Sequence, residues 1–255
     1  MKSINIIFSE YGASDGAARC EEAPMSVDLS ALSGHYESLG ARHRENFEIF
    51  MKYWQSEGYE KLLSPTARVM TMPFSVAAEN FGAELPRSNK SVETAAMAVW
   101  TIGPALEAKC TEMTSSLNDM MTGLLLDVAG SISLYNMHRR MTEWLKSGPA
   151  RAMGKYINGE FYPGTGSMRQ DLIEKVVSLG DTERLIGVRA SGSSLLHPRK
   201  SQCSLILLGS SEYETEIKME PCKPCTGRKC LYYQLGGCHI MTPGDAEAVR
   251  QRRRG

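Results

Sequence analysis

The chain has no long apolar run. No stretch reaches the roughly 18 residues that a membrane-crossing helix needs, so no spanning segment is expected. It has no excess of either charge: 29 Lys and Arg balance 29 Asp and Glu, and no global field recruits nucleic acid or an anionic membrane. The local exception, Arg250-Gln251-Arg252-Arg253-Arg254, reads as a solvated tail rather than a nucleic-acid arm. No secretory leader is expected, since residues 1–30 hold only the short apolar run Ile4 to Phe8 before polar sequence. A reducing, cytoplasmic location is therefore expected, and an odd count of seven cysteines also argues against a disulfide framework. Internal repeats and low-complexity segments are lacking too.

At 255 residues with 42% hydrophobic content, the chain can bury one large core or two small ones. Its 15 methionines are read as gap-fillers of that core rather than as ligands. Four cysteines fall within 17 residues: Cys222, Cys225, Cys230 and Cys238, while Cys20, Cys110 and Cys203 are scattered. The turn formers Pro224, Gly227, Gly236 and Gly237 let this segment fold back so that four thiolates face one metal centre. The spacing does not choose between tetrahedral zinc and an iron–sulfur cluster, because Cys-x2-Cys is common to both. His239 could replace a cysteine, although a neighbour of a ligand is more often merely nearby.

Along the chain, residues 1–9 alternate as a strand (Ile4, Ile6, Phe8), and a link containing Pro24 reads as an irregular lead-in. From His35 to Tyr59 the spacing of Phe47, Phe50, Met51 and Trp54 predicts a helix. Thr94 to Ile102 fits a buried strand that ends at Gly103-Pro104, where a helix can start. That helix breaks near Thr114 to Ser116. A second runs from Leu117 through Met121, Leu124, Leu125, Val128, Ile132 and Tyr135 to Leu145, and Gly148-Pro149 stops it. Its small residues Ala129, Gly130, Ser131 and Ser133 allow close approach of another backbone. Asp127 is read as a buried acid bonded to a basic or backbone group, and His138, beside Arg139 and Arg140, as a surface residue. No catalytic residue is assigned. In the second half a Gly/Pro loop precedes a helix from about Met168 to Leu179, followed by strands over Leu185–Arg189, Cys203–Leu208 and Thr215–Met219. Helices dominate the first half and strands the second, which points to an α+β fold.

Four segments, in order, carry a resemblance: Trp100-Thr-Ile-Gly-Pro-Ala-Leu-Glu107, Leu125-Leu-Asp-Val-Ala-Gly-Ser131, Tyr162-Pro-Gly-Thr-Gly166 and Ser194-Leu-Leu-His-Pro-Arg-Lys-Ser201. Over roughly residues 40 to 240 the chain resembles the reactivation domain of cobalamin-dependent methionine synthase, in a stand-alone form ending in a cysteine cluster. The resemblance implies a twisted antiparallel sheet with flanking helices. It implies binding of S-adenosylmethionine and docking on a corrinoid-carrying methyltransferase protein, so that cob(II)alamin is reduced by one electron and trapped by methylation.

As an accessory reactivase the chain would use its cysteine cluster to relay electrons from a low-potential donor, which favours iron–sulfur over redox-silent zinc. The alternative is a non-catalytic interaction module with a structural zinc. No corrinoid-ligating Asp-x-His-x-x-Gly sequence is present, so the corrinoid belongs to the partner. The implied organisation is a strand and lead-in over 1–34, the reactivation-like domain over 35–220, a metal segment over 221–240 and a flexible basic tail over 241–255. The cofactor-lining residues implied are Tyr162, Pro163, Gly164, Thr165, Gly166, His197, Lys200 and Ser201. One departure stands out. The family enters its Pro-Gly loop from an arginine that pairs with the methionyl carboxylate and follows it with a tyrosine; here those positions are Glu160 and Thr165, so either Arg151, Lys155 or Arg169 supplies the charge or the cofactor is not bound in the usual way.

Overall fold

The structure is a computed structural model that describes residues 2–14, 17–27, 29, 41–82, 85, 91–164 and 168–211. Thr165, Gly166, the Thr215–Met219 segment and all four clustered cysteines lie outside the described residues.

Strands β1 (Lys2–Glu10), β2 (Arg19–Met25), β3 (Thr66–Pro73), β4 (Val92–Thr101), β5 (Tyr156–Phe161) and β8 (Ser201–Gly209) form one sheet in the order β2-β1-β3-β4-β8-β5. Every pairing is antiparallel except that of β1 with β3, between which the chain runs through β2 and then helix α1 (Ala41–Ser56). A two-residue hairpin, β6 (Arg189–Ala190) with β7 (Leu196–His197), stands apart from the sheet. The remaining helices are α2 (Phe74–Phe81), α3 (Ala105–Thr114), α4 (Met120–Leu145), α5 (Leu172–Gly180) and α6 (Thr182–Ile186).

The fold is α+β, and the sheet separates two cores. One face carries Ile4, Ile6, Val69, Ala98, Trp100 and Ile206, packed under α1, α3 and α4. The other carries Met70, Met72, Met97, Val99, Leu205 and Leu207, packed under α2 and α5. Burial on both faces explains why β4 and β8 read as continuous apolar runs rather than as alternating strands. Arg68 projects from β3 into the second core. Its guanidinium donates to the carbonyls of Ile7, Val69 and Gly180 at 3.1–3.2 Å and to Ser9 Oγ at 2.6 Å.

Several expectations are corrected. The lead-in holds β2, and Pro24 is accommodated because β2 is an edge strand. α4 ends at Leu145 as expected, but the chain then widens into a π-turn over Lys146–Ala150, which takes in the proline that lacks an N–H donor, rather than leaving the helical path at once. Leu185–Arg189 is not a strand, because its first residues close α6. Left-handed Asp181 (φ 49°) and Gly187 (φ 68°) turn the chain at either end of that helix. The long helix keeps its predicted extent within a few residues, but its buried face runs through Leu125, Leu126, Ala129 and Ile132, whereas Leu117, Met121 and Leu124 are exposed. Close backbone approach occurs at Gly123, where an added Cβ would stand 3.0 Å from the amide nitrogen of Thr114.

Candidate functional site

Along α4 the residues Leu134, Met137, His138, Met141 and Leu145 recur at helical spacing on the buried face. His138 is therefore a core residue, only 6% exposed, and not the surface histidine its arginine neighbours suggest. Its ring stacks on Trp100 of β4, with centroids 5.1 Å apart and 29° between planes. Nε2 lies 2.9 and 3.0 Å from the two carboxylate oxygens of Glu160, 3.1 Å from Tyr162 Oη and 3.3 Å from Thr142 Oγ1. An ionised carboxylate only accepts, so Nε2–H donates to it. Burial pushes the Glu160 pKa up, but the charge of His138, its hydrogen bond and the hydroxyls of Ser204 and Tyr162 outweigh this and hold the group below the usual carboxylate range.

At one end of the sheet lies a pocket of about 790 Å³. Its floor is formed where β3 begins and β4 ends, at Thr66 and its cross-strand partner Thr101. One wall is the entry and first two turns of α3, from Gly103 to Thr111; the other is Gly187, Arg189, His197 and Pro198 around the small hairpin. Gly103 has φ 83°, a left-handed conformation suited to glycine, and a Cβ there would meet Ser64 Cβ at 3.0 Å.

The segment after Pro198 is clasped to the helices. Arg199 donates from its backbone N to Glu107 Oε2 at 2.8 Å, and its Nε lies 3.2 Å from Oε1. Lys200 Nζ reaches Asp127 Oδ1 at 3.0 Å and Ser131 Oγ at 2.8 Å. Asp127 is thus an acid bonded to a base, half-buried rather than fully buried. Beneath this clasp Cys110 of α3 is buried, and burial with the nearby charge of Asp127 pushes its thiol up to about 11.

Of the residues implied as cofactor-lining, His197 reaches the pocket wall. Lys200 belongs to the clasp, and Ser201 is buried with its hydroxyl donating to Thr101 Oγ1 at 2.8 Å. Tyr162 and Pro163 are buried, Tyr162 beside His138. Gly164 is exposed at φ 84°, on a turn closed by its N–H to Met168 O at 3.0 Å. That turn adjoins the Ser191–Ser201 segment through Gln170, which packs on Gly164 and donates to Ser193 O at 3.3 Å. Glu160 finds its hydrogen-bond partner in His138. Among the basic residues expected to replace the family arginine, Lys155 is bonded to Glu93, Arg169 to Asp171, and Arg151 is exposed.

Sequence reasoning missed Arg189, Ser64, Thr66 and Thr111. Only the fold brings these polar residues, scattered over more than a hundred positions, to one cavity. It also missed His138, although the spacing of Leu134, Met141 and Leu145 carried the signal.

Fold and pocket together define an α+β protein with helices on both sides of a mixed sheet and a binding-sized cavity at one sheet end. No family model matches the chain, and no curated protein matches it. Among solved structures it is similar to a crystal structure of the MetH reactivation domain bound to AdoHcy, with 13% identity, a TM-score of 0.47, and coverage of 68% of this chain and 67% of that one. No helix among the described residues is long and apolar enough to cross a membrane, and among them no group of three or more His, Cys, Asp or Glu side chains could hold a metal ion.

Proposed function

We propose that this chain is an accessory module for the reductive reactivation of a corrinoid methyltransferase protein. In this reading it takes S-adenosylmethionine as methyl donor in the sheet-end pocket and draws electrons from a low-potential donor through a metal centre on Cys222, Cys225, Cys230 and Cys238. The observation that carries the reading is convergence. Two of the four resembling segments, Trp100–Glu107 and Ser194–Ser201, supply opposite walls of one pocket and are bonded to each other through Glu107 and Arg199.

The residues present fit the cofactor. The volume of about 790 Å³ falls within the range of roughly 300–1,000 Å³ typical of small-molecule sites. Pro104, Ala108, Ile186 and Pro198 give an apolar lining for a purine, while Thr66, Thr111 and His197 offer hydrogen bonds to ribose hydroxyls and ring nitrogens. When bound, the cofactor would supply the methyl group. The chain's part is to hold it at an open sheet end where a partner's corrinoid can approach. Four thiolates suit an iron–sulfur centre, which supplies single electrons; the metal segment 221–240 and the tail 241–255 complete this organisation.

The test is kinetic. The protein, purified anaerobically and analysed for iron and sulfide, is mixed with a cognate corrinoid protein in the cob(II) state and a low-potential reductant. It should accelerate loss of the cob(II) signal, and Cys225→Ser should slow that loss. Equal rates with wild type, variant and no added protein would remove the reading and leave an interaction module tied by zinc.

A further inference from the structure

We propose that Arg189 is the carboxylate anchor of the sheet-end pocket, so that the ligand taken there carries a carboxylate on an otherwise apolar or aromatic body. Three lining residues can bear charge: Glu107, Arg189 and His197. Glu107 is engaged at both oxygens by Arg199. Arg189 makes no ion pair among the described residues, whereas Arg169, Arg184, Arg199 and Lys200 each have an acid.

Its backbone is held firmly. Arg189 pairs with His197 across the hairpin and follows fully buried Val188, whose N–H and C=O are both bonded to Thr182, at 3.1 and 2.6 Å. A guanidinium on a fixed base presents parallel N–H donors that match the two oxygens of a carboxylate. The charge count favours a carboxylate over a phosphate: one uncommitted arginine balances one negative charge, and the pocket lining holds no second lysine or arginine.

This inference rests on the proposed reading, in which the carboxylate is that of the methionyl end of S-adenosylmethionine. It also answers the loss of the family arginine at Glu160, because the charge would come from a different element, β6. Calorimetry with S-adenosylhomocysteine and with 5′-methylthioadenosine separates the two claims, since these share the adenosyl thioether and differ in the amino-acid end. Wild type should bind S-adenosylhomocysteine tighter than 5′-methylthioadenosine by about tenfold to a hundredfold, the worth of a charged hydrogen-bonded pair. Arg189→Ala should erase that preference while leaving 5′-methylthioadenosine binding and the Tm unchanged, and Arg189→Lys should keep part of it. Equal affinity of wild type and Arg189→Ala for S-adenosylhomocysteine would overturn the anchor and leave the cofactor reading standing. Failure of wild type to bind either compound would overturn both.

Discussion

His138 and Glu160 meet beneath α4 with Nε2 2.9 Å from Oε1, their side chains 8% and 12% exposed. The pair joins the long helix to the outermost strand of the sheet. Because Glu160 is held below the usual carboxylate range, it stabilises the fold fully above the unfolded-state value, about 4.3, and loses that contribution as pH falls through the lower folded-state value. Thermal melts of wild type and Glu160→Gln should therefore differ by about 2 kcal/mol at pH 5, with wild type the more stable. The gap should close as pH is lowered towards 2.5. A gap that stays constant over this interval would show that the fold does not lower the pKa of this carboxyl.

The glycines of α4 and its π-turn should grade with what an added methyl meets. Gly123→Ala sets Cβ against the Thr114 backbone and Met113 Cβ at 3.0 Å, so α3 and α4 must part, at a cost of about 1–3 kcal/mol. Gly130→Ala meets Leu106 Cδ2 at 2.8 Å, the end of a side chain, and should cost less. Gly148→Ala meets nothing within 4 Å and should be neutral or stabilising by up to about 1 kcal/mol. Urea denaturation of the three variants checks the order.

Arg68 binds three main-chain carbonyls and Ser9 while 6% exposed, and burial lowers its pKa, with Asp181 opposing that shift. Arg68→Ala should strand the carbonyls of Ile7 and Gly180 and cost about 3 kcal/mol or more in denaturant melts. A loss under about 1 kcal/mol would mean that these carbonyls find other donors.

Thiol reactivity should follow burial. Burial pushes Cys203 up to about 12 and Cys110 up to about 11, whereas Cys20 is exposed. With iodoacetamide at pH 8, peptide mass spectrometry should find Cys20 modified well before Cys110 and Cys203, and denaturant should remove the difference. Early labelling of Cys203 in native protein would contradict its place between sheet and helix.

Local patterns carried much of the architecture. The apolar run around Trp100 announced β4, the run from Cys203 to Leu208 announced β8, and the Gly103-Pro104 pair marked the start of α3. Strands β2, β3 and β5 were not legible. β2 is polar with a proline, β3 carries Arg68 in its midst, and β5 is a short edge strand interrupted by Gly159. Their pairing with better strands, not their own propensity, makes them strands.

The sequence by itself determined an α+β chain of balanced charge with a clustered set of thiols, because composition and hydrophobic period are local properties that survive without a fold. Which polar residues meet was decided only by the tertiary structure. Glu160 stood out as a departure from a motif, but its partner lies 22 positions back on a helix whose neighbouring arginines point elsewhere. Arg189 and Glu107 share a pocket only because the start of β3, the end of β4, the start of α3 and the small hairpin meet at one end of the sheet. Burial and charge pairing act through space, and separation along the chain does not record them.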